Sequence, residues 1–500
     1  MPWIRLLPVL AQLRPIFPRK VTFFVFVTAV IGFIVRTDHR GVTSLVRALD
    51  LKPSFYKSLL RLFRSRIDPG RLADAWTRVV LRIFARQLVR VNGRVVLVVD
   101  GLKVPKEGRR MPAVKSLHQE SENNSKPAFI MGHMFQSVAI LVEGIGRRFA
   151  VPLTSRIHEG LKANNKDRKT LVDKLALEIG WLPVAEPFLV LADAYYCAAD
   201  FVGLILAHGG HVITVARSNA VAFEKPEPKP RGRGRRPKYG AKVKLTSFFS
   251  GPLTTATVNA YGGEATEVRY WTRELIWKGT GKVVRYVGAI FPSGKRAVLM
   301  CTDTELSPEA IVEAYCARMR IEQGFKVLLH NVGAYSYHFW TKAMNKIKRR
   351  SKGQFVHHEP EEVRTKMFET HGAYELYVAC GLIAQGLLQY LAVAFPAEVT
   401  SLRGRWYRSQ LATVSPTEEI VQDALRHALP QLRRIDHGLE NYEEFLESKT
   451  ASPEWIDAQI ECSGPIRGSI TAESGDRLRP NPGAENGESG DRLQIGRAHV

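Results

Sequence analysis

The sequence predicts an α/β protein with a β-rich insertion, flanked by helical N- and C-terminal regions. Three observations carry this. Short β-branched runs begin abruptly at residue 94 and alternate with a helical stretch up to residue 217. Residues 268–291 alternate with a period of two. Both ends of the chain show apolar spacing of three and four. At 500 residues and 45% hydrophobic content, a folded chain of two or three domains is expected.

Residues 1–92 read as a helical N-terminal DNA-binding region. Within it, "VTFFVFVTAVIGFIV" (21–35) is apolar throughout. It is shorter than the roughly 20 residues that span a bilayer. A buried helix and no membrane partner are expected. "TSLVRALDLKPSFYKSLLRLF" (43–63) has helical spacing on both sides of "DLKPS". It reads as a helix-turn-helix or as two packed helices without groove contact.

Residues 93–220 read as the first part of an α/β core. "RVVLVVDGLKV", "FIMGHMFQSVAILV", "RRFAVPL", "PFLVLADAYY" and "HVITVAR" are strand-like, with helical "RKTLVDKLALEIG" before the fourth. The order β-β-β-α-β-α-β predicts a meander followed by crossover helices. "EKPEPKPRGRGRRPKYG" (224–240) then interrupts the pattern. Residues 221–295 read as a β-rich insertion of antiparallel strands projecting from the core.

The core resumes at 296–335, with a buried strand "RAVLMCTD" and one long helix, "SPEAIVEAYCARMRIEQGFKVLL" (307–329). Ser307 is its expected N-cap and Pro308 its first turn. Residues 336–462 read as a helical C-terminal region, with an apolar helix at 373–395 and an amphipathic one at 418–432. Residues 463–500 read as a disordered tail: they are rich in Gly, Pro and Glu, and "ESGDRL" occurs twice. The final "QIGRAHV" resembles a translated sequencing adapter, so an artefactual end is expected.

Lys and Arg total 72 against 48 Asp and Glu, a net charge of +24. Counterion release on a polyphosphate rewards such an excess. The five cysteines are odd in number and include no CxxC. A zinc ribbon and a disulfide framework are disfavoured, and a reducing cytoplasm fits.

Three acids stand out by position. Asp100 ends the first strand, Asp193 ends "LVLAD", and Glu322 sits on the helix after the return strand. Ligands in open α/β sheets gather at strand ends. Acids meeting there can hold two divalent cations, Mg²⁺ or Mn²⁺, suited to phosphodiester chemistry. Taken singly, each reads rather as a turn cap or a surface ion-pair member. On a helical wheel, Tyr315, Arg318, Glu322 and Lys326 form one stripe beside an apolar stripe of Ala314, Ala317, Ile321, Phe325 and Leu328.

The segment Tyr315-x2-Arg318-x3-Glu322, with "VVDG" and "LADAYY", resembles bacterial insertion-sequence DDE transposases that carry a Y-R-E-K signature. The resemblance covers residues 20 to 440. It implies a ribonuclease-H-like catalytic core, with Asp100, Asp193 and Glu322 as catalytic metal ligands. It implies cut-and-paste DNA transposition: metal-dependent cleavage at transposon ends, then strand transfer. Double-stranded DNA would be the partner, ends and target alike. A homodimer would form the synaptic complex, in a bacterial cytoplasm at the nucleoid. Tyr315 and Arg318 would hold phosphates of the transposon end. The family lysine lies seven residues past the glutamate, where this chain has Leu329; Lys326 takes its place on the stripe. Arg233 and Arg235 in "RGRGRRPKYG" resemble a minor-groove arm, or read as part of a solvated basic linker. Trp271 and Trp277 read as base-stacking residues or as buried strand aromatics. His133 and His158 read as polar histidines that could approach the metals. Two alternatives stay open: a catalytically inactive DNA-binding relic, and a ribonuclease-H-like nuclease without strand transfer.

Overall fold

The computed structural model describes residues 2–39, 41–119, 127–164, 166–217, 219–227, 237–260, 264–403, 413–432 and 439–451. Arg233, Arg235 and the tail 463–500 lie outside the described residues.

Five helices open the chain: α1 (Pro2–Ala11), α2 (Lys20–Val35), α3 (Val42–Ala48), α4 (Phe55–Phe63) and α5 (Pro69–Ile83). The run at 21–35 does form a buried helix, packed from Phe23 to Val35 without a break. A helix apolar on every side needs neighbours all round. Those neighbours include α3, α4 and α10 (Glu361–Ala394). Thus α3 and α4, the helix-turn-helix segment, pack on α2, and α4 also reaches α10. Phe63 sits edge-on to Tyr377 at 5.3 Å. The N- and C-terminal helices share one core rather than forming separate units. Among the described helices only α10 is long and apolar enough to cross a bilayer, and 89% of its most apolar window is buried in the protein.

The first five long strands are β1 (Arg94–Pro105), β2 (Phe129–Gly144), β3 (Arg147–Ile157), β4 (Phe188–Leu191) and β5 (His211–Val215). β1, β2 and β3 pair antiparallel as a meander. β4 pairs parallel to β1, and β5 parallel to β4. The crossovers run through α6 (Leu171–Trp181) and α7 (Ala199–Ala207). Thr170 and Asp173 close a capping box at the start of α6.

Residues 221–295 pair antiparallel but do not project. β6 (Thr254–Ala260), β7 (Glu264–Trp277) and β8 (Lys282–Ile290) join through β9 (Arg296–Cys301) to β5. They extend the core sheet into a single sheet of 13 strands. The reason is local: β8 and β9 are joined by a tight turn, so β8 is carried to the open edge of β9. The alternation that distinguishes these strands marks one solvated face, not a detached sheet.

The long helix at 307–329 is also corrected. It is two helices, α8 (Pro308–Cys316) and α9 (Met319–His330). Ser307 caps α8 as expected, accepting from the Ala310 amide. At the break, Ala317, Arg318, Arg320 and Ile321 donate to carbonyls three residues back, a tighter winding than an α-helix. The apolar stripe Ala314, Ala317, Ile321, Phe325 and Leu328 is buried.

Candidate active site

Asp100 lies within β1 rather than at its end. The parallel partner β4 covers only Val95 to Val98, whereas β2 follows β1 to Pro105. Asp100 therefore sits just past the point where β4 stops, on a strand still held on its other side. Asp193 follows two residues after β4. Its Oδ1 accepts from the Tyr195 amide and caps a short 3₁₀ turn. Its carbonyl accepts from Thr214 Oγ1 of β5 at 2.6 Å. Glu322 is in the first turn of α9.

Arg318 joins these elements. Its Nη1 donates to Asp100 Oδ2 at 3.0 Å and its Nη2 to Glu322 Oε1 at 2.7 Å. The tight winding between α8 and α9 turns this side chain inward, where only 4% of the residue is exposed. Asp100 Oδ1 accepts from the Gly101 amide at 2.7 Å. Burial pushes the Asp100 carboxyl up to about 7, opposed by Arg318 and the Gly101 amide and reinforced by Asp193 and Glu322. Arg318 thus ties Asp100 to Glu322, and Asp193 lines the same groove as Asp100. The Tyr315 hydroxyl is buried beside the Arg318 guanidinium, in a geometry too poor for a hydrogen bond.

Residues not singled out in the sequence complete the groove, which holds about 300 Å³. Lys103, Lys115, His118, Tyr195 and Tyr196 line it with Asp100 and Asp193. Tyr196 donates to Gln136 Oε1 at 2.5 Å. Gln136 stands opposite Gly101 in the β1–β2 register. A Cβ at Gly101 would lie 2.9 Å from Gln136 Nε2, so glycine leaves room for this pair beneath the acid. The two tyrosines in "LADAYY" were the available signal; the register that brings Gln136 was not.

Other expected residues lie elsewhere. Lys326 is exposed and lines a different cavity with Arg147 and Arg320. Leu329 packs against the core. His133 is buried against the Pro112 carbonyl, and His158 pairs with Glu178 at 2.8 Å. Trp271 is half-buried against Phe248, and Trp277 is half-buried on the same strand.

The all-carboxylate donor set suits a hard divalent cation. In spacing, no three His, Cys, Asp or Glu side chains among the described residues are grouped closely enough to ligate one ion. The Arg318 guanidinium spans the gap between Asp100 and Glu322. The donors fit such an ion in kind but not in spacing while Arg318 stands between them.

A mixed α/β sheet with two aspartates lining one groove, and a helix-borne glutamate joined to the first through Arg318, is compatible with a DDE-type nuclease. The chain belongs to the DDE superfamily endonucleases: that family matches residues 12–282. The match includes Asp100 and Asp193 and ends before Glu322. No curated protein matches the sequence. Membership supports a nuclease- or transposase-type activity with DNA as partner, in a class that generally uses divalent metal ions.

Proposed function

We propose that the chain is a DNA transposase of the insertion-sequence type. It would cleave strands at transposon ends and transfer the freed 3′-OH to target DNA. The observation that carries this is the pairing of Asp100 with Glu322 through Arg318, with Asp193 beside Asp100 in the groove, in the order D-D-E. The sheet order β3-β2-β1-β4-β5, three antiparallel strands followed by two parallel ones, supports a ribonuclease-H-like core.

In this reading Asp100, Asp193 and Glu322 hold one or two divalent cations, Mg²⁺ or Mn²⁺. When bound, such ions activate the attacking oxygen and stabilise the leaving one. The chain's own residues do the rest. Gly101 and Tyr195 amides fix the two aspartates. Gln136 and Tyr196 support the floor between them. Arg318, released from its acids, and Tyr315 present donors to a phosphate. The N-terminal helices, with α3 and α4, would contact DNA outside the groove. Two copies would act on paired ends, in a bacterial cytoplasm.

The test is a cleavage and strand-transfer assay on DNA carrying the inverted repeats that flank the reading frame. Mg²⁺-dependent nicking at the repeats, followed by joining of pre-cleaved ends to a target, supports the proposal. Nicking without joining would mean a nuclease alone. Binding without either would mean an inactive relic.

A further inference from the structure

A second cavity, of about 510 Å³, lies between the β2–β3 turn, α9 and the first turn of α12 (Glu418–His427). None of the three acids lines it. Arg147, Arg148, Arg320 and Lys326 do, together with Glu418 and Glu419. The charges do not balance locally. Arg148 is held by Glu143 at 2.7 Å and Glu313 at 3.5 Å. Glu418 is buried and accepts from Gln389. Glu419 is exposed in the first turn of α12, where the helix dipole already favours a negative charge. Arg320 hydrogen-bonds to the neutral Gln323 and, among the described residues, ion-pairs with no acid; Arg147 and Arg148 act on its charge more strongly than Glu143 and Glu418 do. Among the described residues, Arg147 and Lys326 pair with no acid. Three cations without acid partners therefore converge on one concave surface. Such crowding is unfavourable in the free protein and is relieved by an anion.

We propose that this cavity grips the sugar–phosphate backbone of DNA, along a path that follows α9 away from the acid groove. The inference rests on the reading of the chain as a DNA-cleaving enzyme. Two guanidinium forks and one ammonium suit phosphate oxygens. The one aromatic lining residue, Phe149, is buried, so the surface offers no exposed ring for a base. Contacts from these cations to phosphates would carry no sequence information.

The experiment measures duplex affinity against salt for the full chain and for Arg147→Ala, Arg320→Ala, Lys326→Ala and the triple variant. Each lost phosphate contact lowers the slope of log affinity on log salt by about 0.9. Each single variant should therefore lose about one, and the triple variant between two and three. The loss should be equal on end-sequence and unrelated duplexes. Lys326 is exposed, so its variant keeps the fold and isolates the charge. A steep wild-type slope left unchanged by Lys326→Ala and Arg147→Ala overturns this inference while sparing the DNA-cleaving reading. Loss confined to one sequence also overturns it, in favour of base readout. A wild-type slope near zero sinks the DNA-cleaving reading itself.

Discussion

Arg318 Nη1 lies 3.0 Å from Asp100 Oδ2, in a pair with side-chain exposures of only 5% and 10%. The same guanidinium reaches Glu322 Oε1. One buried cation thus serves two of the three acids, and all three act on its charge. It cannot also bind a phosphate while it holds both. DNA engagement and the bridging of the acids are alternative states of one side chain.

Removing Arg318 leaves the buried Asp100 and the half-buried Glu322 without their cation. Breaking a buried pair at one partner costs about 3–5 kcal/mol. Arg318→Ala should therefore destabilise the protein by that order in EDTA, and by clearly less in saturating Mg²⁺. Urea denaturation in the two buffers checks this. An equal loss in both would mean that no divalent cation replaces the guanidinium between Asp100 and Glu322.

Asp100→Ala, Asp193→Ala and Glu322→Ala should each abolish nicking. Deleting even a single electrostatic stabiliser typically costs about 10²–10³-fold in rate, so each should lose at least that. DNA affinity should stay at or above wild type, because the positive surface is untouched and, in the Asp100 and Glu322 variants, Arg318 loses an acid that competes with phosphate. Single-turnover nicking and equilibrium binding, measured side by side, test it. A variant that nicks normally is excluded as a member of the site.

Lys106 gives a pH dependence unconnected with the acids. It is 3% exposed, and its Nζ donates to the Tyr335 carbonyl at 2.6 Å and the Tyr337 carbonyl at 3.3 Å. Burial lowers it from 10.5 to about 7. Above 10.5 the amine is neutral in both folded and unfolded chains. Between that value and about 7, the unfolded chain binds a proton that the fold refuses. Stability should therefore fall on acidification through this window, by up to about 1.4 kcal/mol per pH unit, and level off below it. Lys106→Met should remove that slope relative to wild type in urea titrations at several pH values. Parallel curves would show that Lys106 stays charged in the fold.

Much of this site could be read from sequence because its acids stand in locally recognisable places. Asp100 follows five buried apolar residues, and Asp193 interrupts a second such run. Glu322 lies beside an apolar stripe that the fold does bury. The non-local features were out of reach. Gln136 meets Gly101 only through the β1–β2 register, which depends on a hairpin-scale alignment that no local pattern specifies. The winding at Ala317–Arg318 leaves helical spacing intact, so a wheel draws one helix where two exist. It therefore shows Arg318 on a surface stripe, whereas the fold turns it inward. Lys326 was placed beside Glu322 by the same wheel, and its side chain lines the other cavity. The continuity of residues 221–295 with the core sheet was hidden because alternation reports a solvated face, not which strand lies alongside.

Tyr315 separates binding from folding. Its hydroxyl is buried and has no hydrogen-bond partner among the described residues. An unsatisfied buried polar group costs about 1–3 kcal/mol, so deleting it should not weaken the fold. Tyr315→Phe should melt at or above the wild-type temperature. If the hydroxyl instead finds a phosphate when DNA arrives, the variant loses a hydrogen bond to a charged group, worth about 1.5–3 kcal/mol. End affinity should then fall by roughly 10- to 100-fold, at unchanged or raised stability. Thermal melting and end binding on the same preparation read both quantities. A variant with wild-type affinity would make Tyr315 a packing residue. One that loses stability and affinity together would show that the hydroxyl has a structural partner in the free protein.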